Sequence, residues 1–301
     1  MEPKARLRYG ENPHQAAAFF GNLNDCFEQL NGKELSYNNL LDIDAAFRLM
    51  REFTAPTFAI IKHTNPCGVA SRSTASAAWE AALACDPVSA FGGIIITNQD
   101  VSIAVAESLN EIFYEVLIAP NFSKESFELL SQKKNRILLK SKLTVLPNIV
   151  YRSCLSGLLV QEYDTDYTQP IDYHIVTSKK PAQDKFKDII FGEKVCKHLK
   201  SNAIAVVQQE QLIGSGIGQT SRIDALTQAI HKAESMGVTL ENAVLISDAF
   251  FPFADGVRMA NSAGIKLVVQ PGGSVRDKEV IDFCEENGMC MIFTGSRHFR
   301  H

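Results

Sequence analysis

The last third of the chain alternates short apolar runs with polar loops and amphipathic stretches in an order that few folds can satisfy. Residues 243–247 (AVLIS), 265–269 (IKLVV) and 289–294 (MCMIFT) are too short for buried helices and read as buried strands. The loop DAFFPFAD and a helix through Met259 separate the first pair, and the loop QPGGS and the helix VRDKEVIDFCEENG separate the second. Strands that are apolar throughout and alternate with helices predict parallel neighbours covered on both faces. The class expected is therefore α/β, and both loops leave the sheet at one edge. Phe250, Phe251 and Phe253 around Pro252 offer aromatic faces for a flat heterocycle there, or simply core packing.

A second constraint is the stretch TFAIIKHTNPCGVA at 57–70. Its run Phe58-Ala59-Ile60-Ile61 reads as a buried strand, and Asn65-Pro66 is expected to break it. Lys62 and His63 then stand at the strand's carboxyl end, the rim where open α/β sheets bind ligands. An amine beside an imidazole suits proton transfer; the alternative is a strand that meets solvent with two polar residues.

The remaining segments fit the same class. LRYGENPHQ places Arg8 beside Tyr9 before a turn, a pairing suited to a phosphate and a ring, or to plain surface. A helix is expected within 35–53, a small-residue helix over 73–84, and a turn at Asp86-Pro87. Gly92-Gly93 permits close backbone approach or a kink before the β-branched strand Ile94-Ile95-Ile96. A helix and a strand follow, with Glu115 beside the strand, and 121–148 reads as a transition between halves. Strands are expected at 157–164 and 173–177 and a helix over 185–200, then a hairpin turning at Gln208-Gln209-Glu210, with GSGIGQTSR opening a helix as an anion site. That glycine run is not the dinucleotide fingerprint, and no repeat of solenoid period is present.

Composition excludes several classes. With 301 residues, 46% hydrophobic content and a net charge of −4, the chain has the makings of a large core and no general affinity for nucleic acid or acidic membranes. No apolar run reaches membrane-span length, and MEPKARLRYG lacks a signal-peptide core, so a cytoplasmic location is expected. Seven scattered cysteines read as reduced thiols.

Eight motifs, LRYGENPHQ, IKHTNPCG, DPVSAFGG, KSNAI, GSGIGQTSR, SDAFFPF, QPGGS and RHFRH, occur in this order. Together they resemble the AICAR transformylase half of the bifunctional purine-biosynthesis family. The resemblance implies two cytidine-deaminase-like three-layer domains, divided here at 1–150 and 151–301. It implies formyl transfer from 10-formyltetrahydrofolate to AICAR by a homodimer with active sites at the interface. Residue by residue, it makes His63 the proton acceptor, Lys62 the transition-state stabiliser and Asn202 the holder of the formyl and carboxamide groups. Arg8, Tyr9, Gly92, Glu115, Arg222, Phe250 and Arg297 match ribonucleotide contacts. Phe91, Ile223, Asp255, Ser274 and Val275 match folate contacts, and Asp248 lies near a potassium site in some relatives. No metal is required and no zinc is implied.

The cyclohydrolase half is not within these residues, so a stand-alone transformylase without ring-closing activity, served by a separate cyclohydrolase, is expected. Ala254 stands where the family has Arg, and Glu193 where it has Trp. Two rivals are weighed. A zinc deaminase needs His-x-Glu and Cys-x-x-Cys, and position 70 is Ala70. A silent folate- or nucleotide-binding protein would have no use for both Lys62 and His63.

Overall fold

A computed structural model describes residues 5–142, 146–166 and 170–301. The chain opens with a small antiparallel pair, β1 (Ala5–Leu7) and β2 (Ala17–Phe19), followed by β3 (Phe27–Asn31). Helix α1 (Tyr37–Met50) starts at a capping box, in which Ser36 and Asn39 each accept the other's backbone N–H. The strands β4 (Thr57–Lys62) and β5 (Asn65–Ser71) form a hairpin. Next come α2 (Ala75–Cys85), α3 (Pro87–Ala90), β6 (Ile94–Thr97), α4 (Ile103–Asn110), β7 (Val116–Ala119), α5 (Lys124–Leu130) and β8 (Ile137–Ser141). A separate hairpin, β9 (Ile149–Cys154) and β10 (Gly157–Glu162), is exposed almost throughout.

The second half runs β11 (His174–Ile175), α6 (Lys185–Cys196), β12 (Ile204–Gln208), β13 (Gln211–Gly216), α7 (Arg222–Ser235), β14 (Val244–Ser247), α8 (Asp255–Ser262), β15 (Leu267–Gln270), α9 (Asp277–Glu286) and β16 (Cys290–Phe293). The parallel β14, β15 and β16 and the β12–β13 hairpin are as the sequence predicts.

Twelve of the described strands form one mixed sheet, ordered β11-β16-β15-β14-β12-β13-β5-β4-β6-β7-β8-β3. Read outward from the centre, each half repeats the same plan: a hairpin, three parallel strands and an antiparallel edge strand. Helices cover both faces, which makes the molecule a three-layer α/β protein. On one face α1 and α6 share a core in which Ile43, Phe47 and Ile61 join Ile189, Val195 and Val207. On the other face Trp79 of α2 and Leu109 of α4 cover the first half, and Leu226 of α7 and Val257 of α8 cover the second. The hairpins lie close beneath their helices because Gly68 faces the Ala82 carbonyl and Gly214 the Ala229 carbonyl; a Cβ at either would stand 2.2 or 2.3 Å from that oxygen.

Three expectations change. Asn65-Pro66 does not break the strand: the chain reverses at His63–Thr64 and Asn65 opens β5, with Pro66 beside a register shift at Ile60/Ile61 where a missing N–H is tolerated. Residues 121–148 are not a transition between halves, since α5 and β8 complete the first half and β8 pairs with both β7 and β3. The third concerns the rim. β4 runs antiparallel to β6, with Ile61 opposite Ile94, so its carboxyl end lies at the amino ends of β6, β7 and β8.

The opposite holds in the second half. β12 is antiparallel to β14, with Ile204 opposite Ser247, so Asn202 lies at the carboxyl ends of β14 to β16. Because β13 and β5 are themselves antiparallel, both places fall on one edge of the sheet. The seven cysteines are free; Cys85, Cys196, Cys284 and Cys290 are buried, whereas Cys154 is exposed on the outer hairpin. No described helix is long and apolar enough to cross a membrane.

Candidate active site

His63 and Thr64 form the tip of the β4–β5 hairpin with φ of 53° and 63°, a left-handed conformation that costs a non-glycine residue about 1–2 kcal/mol. Tertiary hydrogen bonds hold it. The Thr64 N–H donates to Asp42 Oδ1 of α1 at 2.6 Å, and Asn65 accepts the Lys200 N–H at 3.0 Å. Arg300 donates to the Thr64 carbonyl at 3.3 Å. Burial pushes the Asp42 carboxyl above its ordinary value, opposed by the Thr64 hydrogen bond and the nearby His63 charge. The arrangement leaves the His63 side chain exposed and the Lys62 ammonium bonded to the Phe91 carbonyl.

Lys62 and His63 face a cleft of about 460 Å³ that also receives Arg8, Tyr9, Gly92 and Glu115, so six site residues from four separate segments converge. Arg8 donates to Tyr9 Oη at 2.9 Å and lies 4.7 Å from the ring centroid. Glu115 accepts from Asn39 at 3.0 Å and pairs with Lys33 at 3.4 Å. Gly92 has φ of 74°, so glycine is required for the loop's path more than for room, since an added Cβ would meet only the Phe113 ring at 3.7 Å. Phe91 projects from this loop, 62% exposed, its ring 5.1 Å from that of Phe113.

Another group lines a pocket of about 550 Å³ in the second half: Asn202, Arg222, Ile223, Phe250, Asp255 and Arg297. Arg222 is buried; it pairs with Asp248 and donates to Ser247 Oγ at 2.9 Å and Asn202 Oδ1 at 2.8 Å. Asn202 Nδ2 in turn donates to the Gln219 carbonyl at 2.9 Å, so its amide is fixed from both ends. The Arg297 guanidinium lies over Phe299. Of the three phenylalanines, Phe251 is core, Phe250 is half-buried and Phe253 is exposed. Ser274 and Val275 sit on the β15–α9 loop outside this lining, with Val275 fully exposed. The two clefts share no lining residue.

Among the described residues no three His, Cys, Asp or Glu side chains gather as a metal site. The Asp248 carboxylate is taken up by Arg222 and by Ser201 Oγ at 2.6 Å, so it does not by itself make a cation site. Sequence reasoning missed Asp42, Asn39 and Lys33. Asp42 lies on an ordinary amphipathic helix, and nothing local marks it as the partner of a turn 22 residues away.

Residues 1–232 match the model of the AICARFT/IMPCHase bienzyme family. The chain belongs to that family. Its similarity to AICARFT/IMPCHase relatives extends further along the chain. It is 53% identical over 296 residues to the bifunctional purine biosynthesis protein PurH of Bacteroides thetaiotaomicron, covering 98% of this chain and 58% of that protein. The PurH proteins of Chloroflexus aurantiacus and Chlorobium luteolum are 49% and 45% identical, with 98% and 100% of this chain and 59% and 60% of theirs covered. The chain thus spans about three fifths of the length of these curated relatives.

Proposed function

We propose that these residues catalyse formyl transfer from 10-formyltetrahydrofolate to the 5-amino group of AICAR, a step of purine (IMP) biosynthesis. The observation that carries the reading is the convergence of Arg8, Tyr9, Lys62, His63, Gly92 and Glu115 on one cleft. A nucleotide seated there places its phosphate or ribose by the Arg8 guanidinium and its heterocycle by the exposed imidazole.

The chemistry needs help at two points. The 5-amino lone pair is delocalised into the imidazole and carboxamide, so its attack on the formyl carbon requires a base, and an imidazole with an ordinary pKa of about 6.5 suits that near neutrality. As the new C–N bond forms, negative charge grows on the formyl oxygen, and a fixed ammonium stabilises it. His63 takes the amine proton and Lys62 supplies the cation. Collapse of the intermediate breaks the bond to the folate nitrogen, which leaves with a proton as tetrahydrofolate. Asn202 would hold the formyl and carboxamide groups, with Arg222 fixing its amide; Phe250 and Arg297 would complete the ribonucleotide contacts. Phe91, Ile223, Asp255, Ser274 and Val275 would receive the folate.

The Lys62–His63 group and the Asn202 group line separate clefts of one chain, which supports a homodimer in which each active site takes its Lys62–His63 cleft from one subunit and its Asn202 pocket from the other. The exposed β9–β10 hairpin supports it too, because an isolated two-stranded sheet bearing Leu158, Leu159 and Val160 is marginal in water without a cover.

Release of tetrahydrofolate on mixing the purified protein with AICAR and 10-formyltetrahydrofolate tests the reaction; no release with both substrates present overturns it. Co-expression of His63→Ala with Asn202→Ala tests the shared site. Each variant should be nearly inactive by itself, and the co-expressed population should recover about a quarter of normal activity, because half of randomly paired dimers are mixed and each of these keeps one intact site of two. No recovery would place both residues in the same subunit's site.

A further inference from the structure

Lys62 and His63 stand on a wall with a second cleft behind it. This space, about 510 Å³, lies between the halves and receives Asp86 and Ser89 from the first half and Lys232 from α7 of the second. Asp86 is 3% exposed, and both of its oxygens are engaged. Oδ1 accepts the Ser89 N–H at 3.0 Å, capping α3, and Oδ2 pairs with the Lys232 ammonium.

What Asp86 caps is a four-residue helix, too short to hold its own geometry, so the cap sets where the chain goes next. Phe91 comes next, and its carbonyl accepts the Lys62 ammonium; Gly92 follows, and it lines the cleft in front. A continuous series of contacts therefore runs from α7 through Lys232, Asp86, α3 and the Phe91 carbonyl to Lys62. The Gly92 N–H donates to the Phe113 carbonyl and pins the far end of the loop to the first half. The Lys232–Asp86 pair ties its near end to the second.

We propose that Lys232, acting through Asp86 and the 86–92 loop, is a positioning residue for the Lys62 ammonium, so that the second half of the fold sets the aim of a catalytic group carried by the first. This rests on the formyl-transfer reading above. Misplacing a transition-state group by a fraction of an ångström lowers turnover without abolishing substrate binding, because the ground state does not depend on that contact.

The test is a double-mutant cycle on the full chain, with kcat and KM for AICAR and a thermal melt for each variant. Lys232→Met is expected to lower kcat about 10-fold while KM moves less than about 3-fold. In a Lys62→Met background the same change should cost less than about 2-fold, because the group being aimed is gone. Lys232→Gln keeps a donor on a side chain one bond shorter, so it should recover part of the loss and serves if Lys232→Met fails to fold. An unchanged kcat in folded Lys232→Met overturns the proposal, as does, where that variant fails to fold, an unchanged kcat in Lys232→Gln. So does an equal loss in both backgrounds, which would mark the pair as purely structural. An active wild type with an unaffected variant removes this role alone, whereas an inactive wild type removes the reaction and this role with it.

Discussion

In the first half of the sheet the hairpin tip His63–Thr64 ends in a cleft; in the second the matching tip, Gln209–Glu210, ends against the first half. Both tips are left-handed, with φ of 54° and 52° in the second. Each is held by an aspartate on the preceding helix: Asp42 Oδ1 accepts the Thr64 N–H at 2.6 Å and Asp188 Oδ1 the Glu210 N–H at 2.7 Å. The intervals from Asp42 to Asp188, from Thr64 to Glu210 and from Gly68 to Gly214 are equal. One device thus serves two purposes. At the first tip it presents Lys62 and His63 to solvent. At the second it is a joint, where the Glu210 carbonyl accepts the Ser71 N–H at 3.0 Å and Arg72 reaches the Gln209 carbonyl and, at 2.7 Å, Gln211. A strained turn is a means of aiming two residues, and its surroundings decide whether they meet substrate or protein.

The comparison breaks most visibly at the tips themselves. His63→Ala should lower turnover by about 10²–10⁴-fold, the usual contribution of a positioned base, with a modest change in AICAR affinity. Gln209→Ala, its counterpart, should leave turnover within about 2-fold, because the backbone carbonyl forms the joint. Steady-state rates of the two variants decide the matter. Equal effects would mean that the tips are not functionally distinct.

A second difference lies in the helices. Where α1 has Phe47 stacked on Phe27, the equivalent place in α6 has Glu193, buried and hydrogen-bonded to Tyr173 Oη. Burial pushes the Glu193 carboxyl up to about 7, partly offset by Tyr173 and by the His298 and Lys197 charges. The folded state keeps this proton from the ordinary value of 4.5 up to about 7 while the unfolded chain releases it. Stability should therefore fall as pH rises across that window and level off above it. The loss amounts to as much as about 3 kcal/mol. Glu193→Gln should flatten the slope in urea melts between pH 4.5 and 8 and raise stability at the upper end. An unchanged slope would locate the titration elsewhere.

The smallest expected effect sharpens the comparison. Asp42→Ala and Asp188→Ala should each cost about 1–3 kcal/mol of stability, since each leaves a turn N–H without its acceptor. Asp42→Ala should in addition lower kcat several-fold, because the turn it steadies carries His63, the proposed base, and Asp188→Ala should not. Melts combined with kcat separate the two; parallel losses in both would argue that Asp42 acts only on the fold.

Much of this is legible in the sequence. The apolar run at 57–61 stops abruptly, and that places Lys62 and His63 at a strand end. The alternation after Asn242 yields the parallel strands because their burial on both faces leaves no polar alternation to read otherwise. Strand direction is not written in a single run, however. The rim could not be assigned until the antiparallel pairing of β4 with β6 was known, and His-Thr is no ordinary left-handed turn pair, so the hairpin stayed hidden behind Asn65-Pro66. Ion pairs such as Lys232 with Asp86 join residues 146 apart and leave no local mark.

The seam between the halves has a consequence of its own. Across it, β5 and β13 share a single paired register position, Gln211 opposite Ala70, yet the α1–α6 core runs beneath without a break, and Phe53 meets Phe191 with ring centroids 5.4 Å apart. The join is thus sparse in strand pairing and is held by side-chain bonds, such as Arg72 to Gln211 and Lys232 to Asp86, laid over continuous apolar contact. Such a boundary resists hinging, since bending would open hydrocarbon to water and part those side-chain bonds. The molecule is therefore better described as a laminate than as two hinged lobes, and the loop from Asp86 to Gly92, tied to the second half through Lys232, lies at the bonded layer.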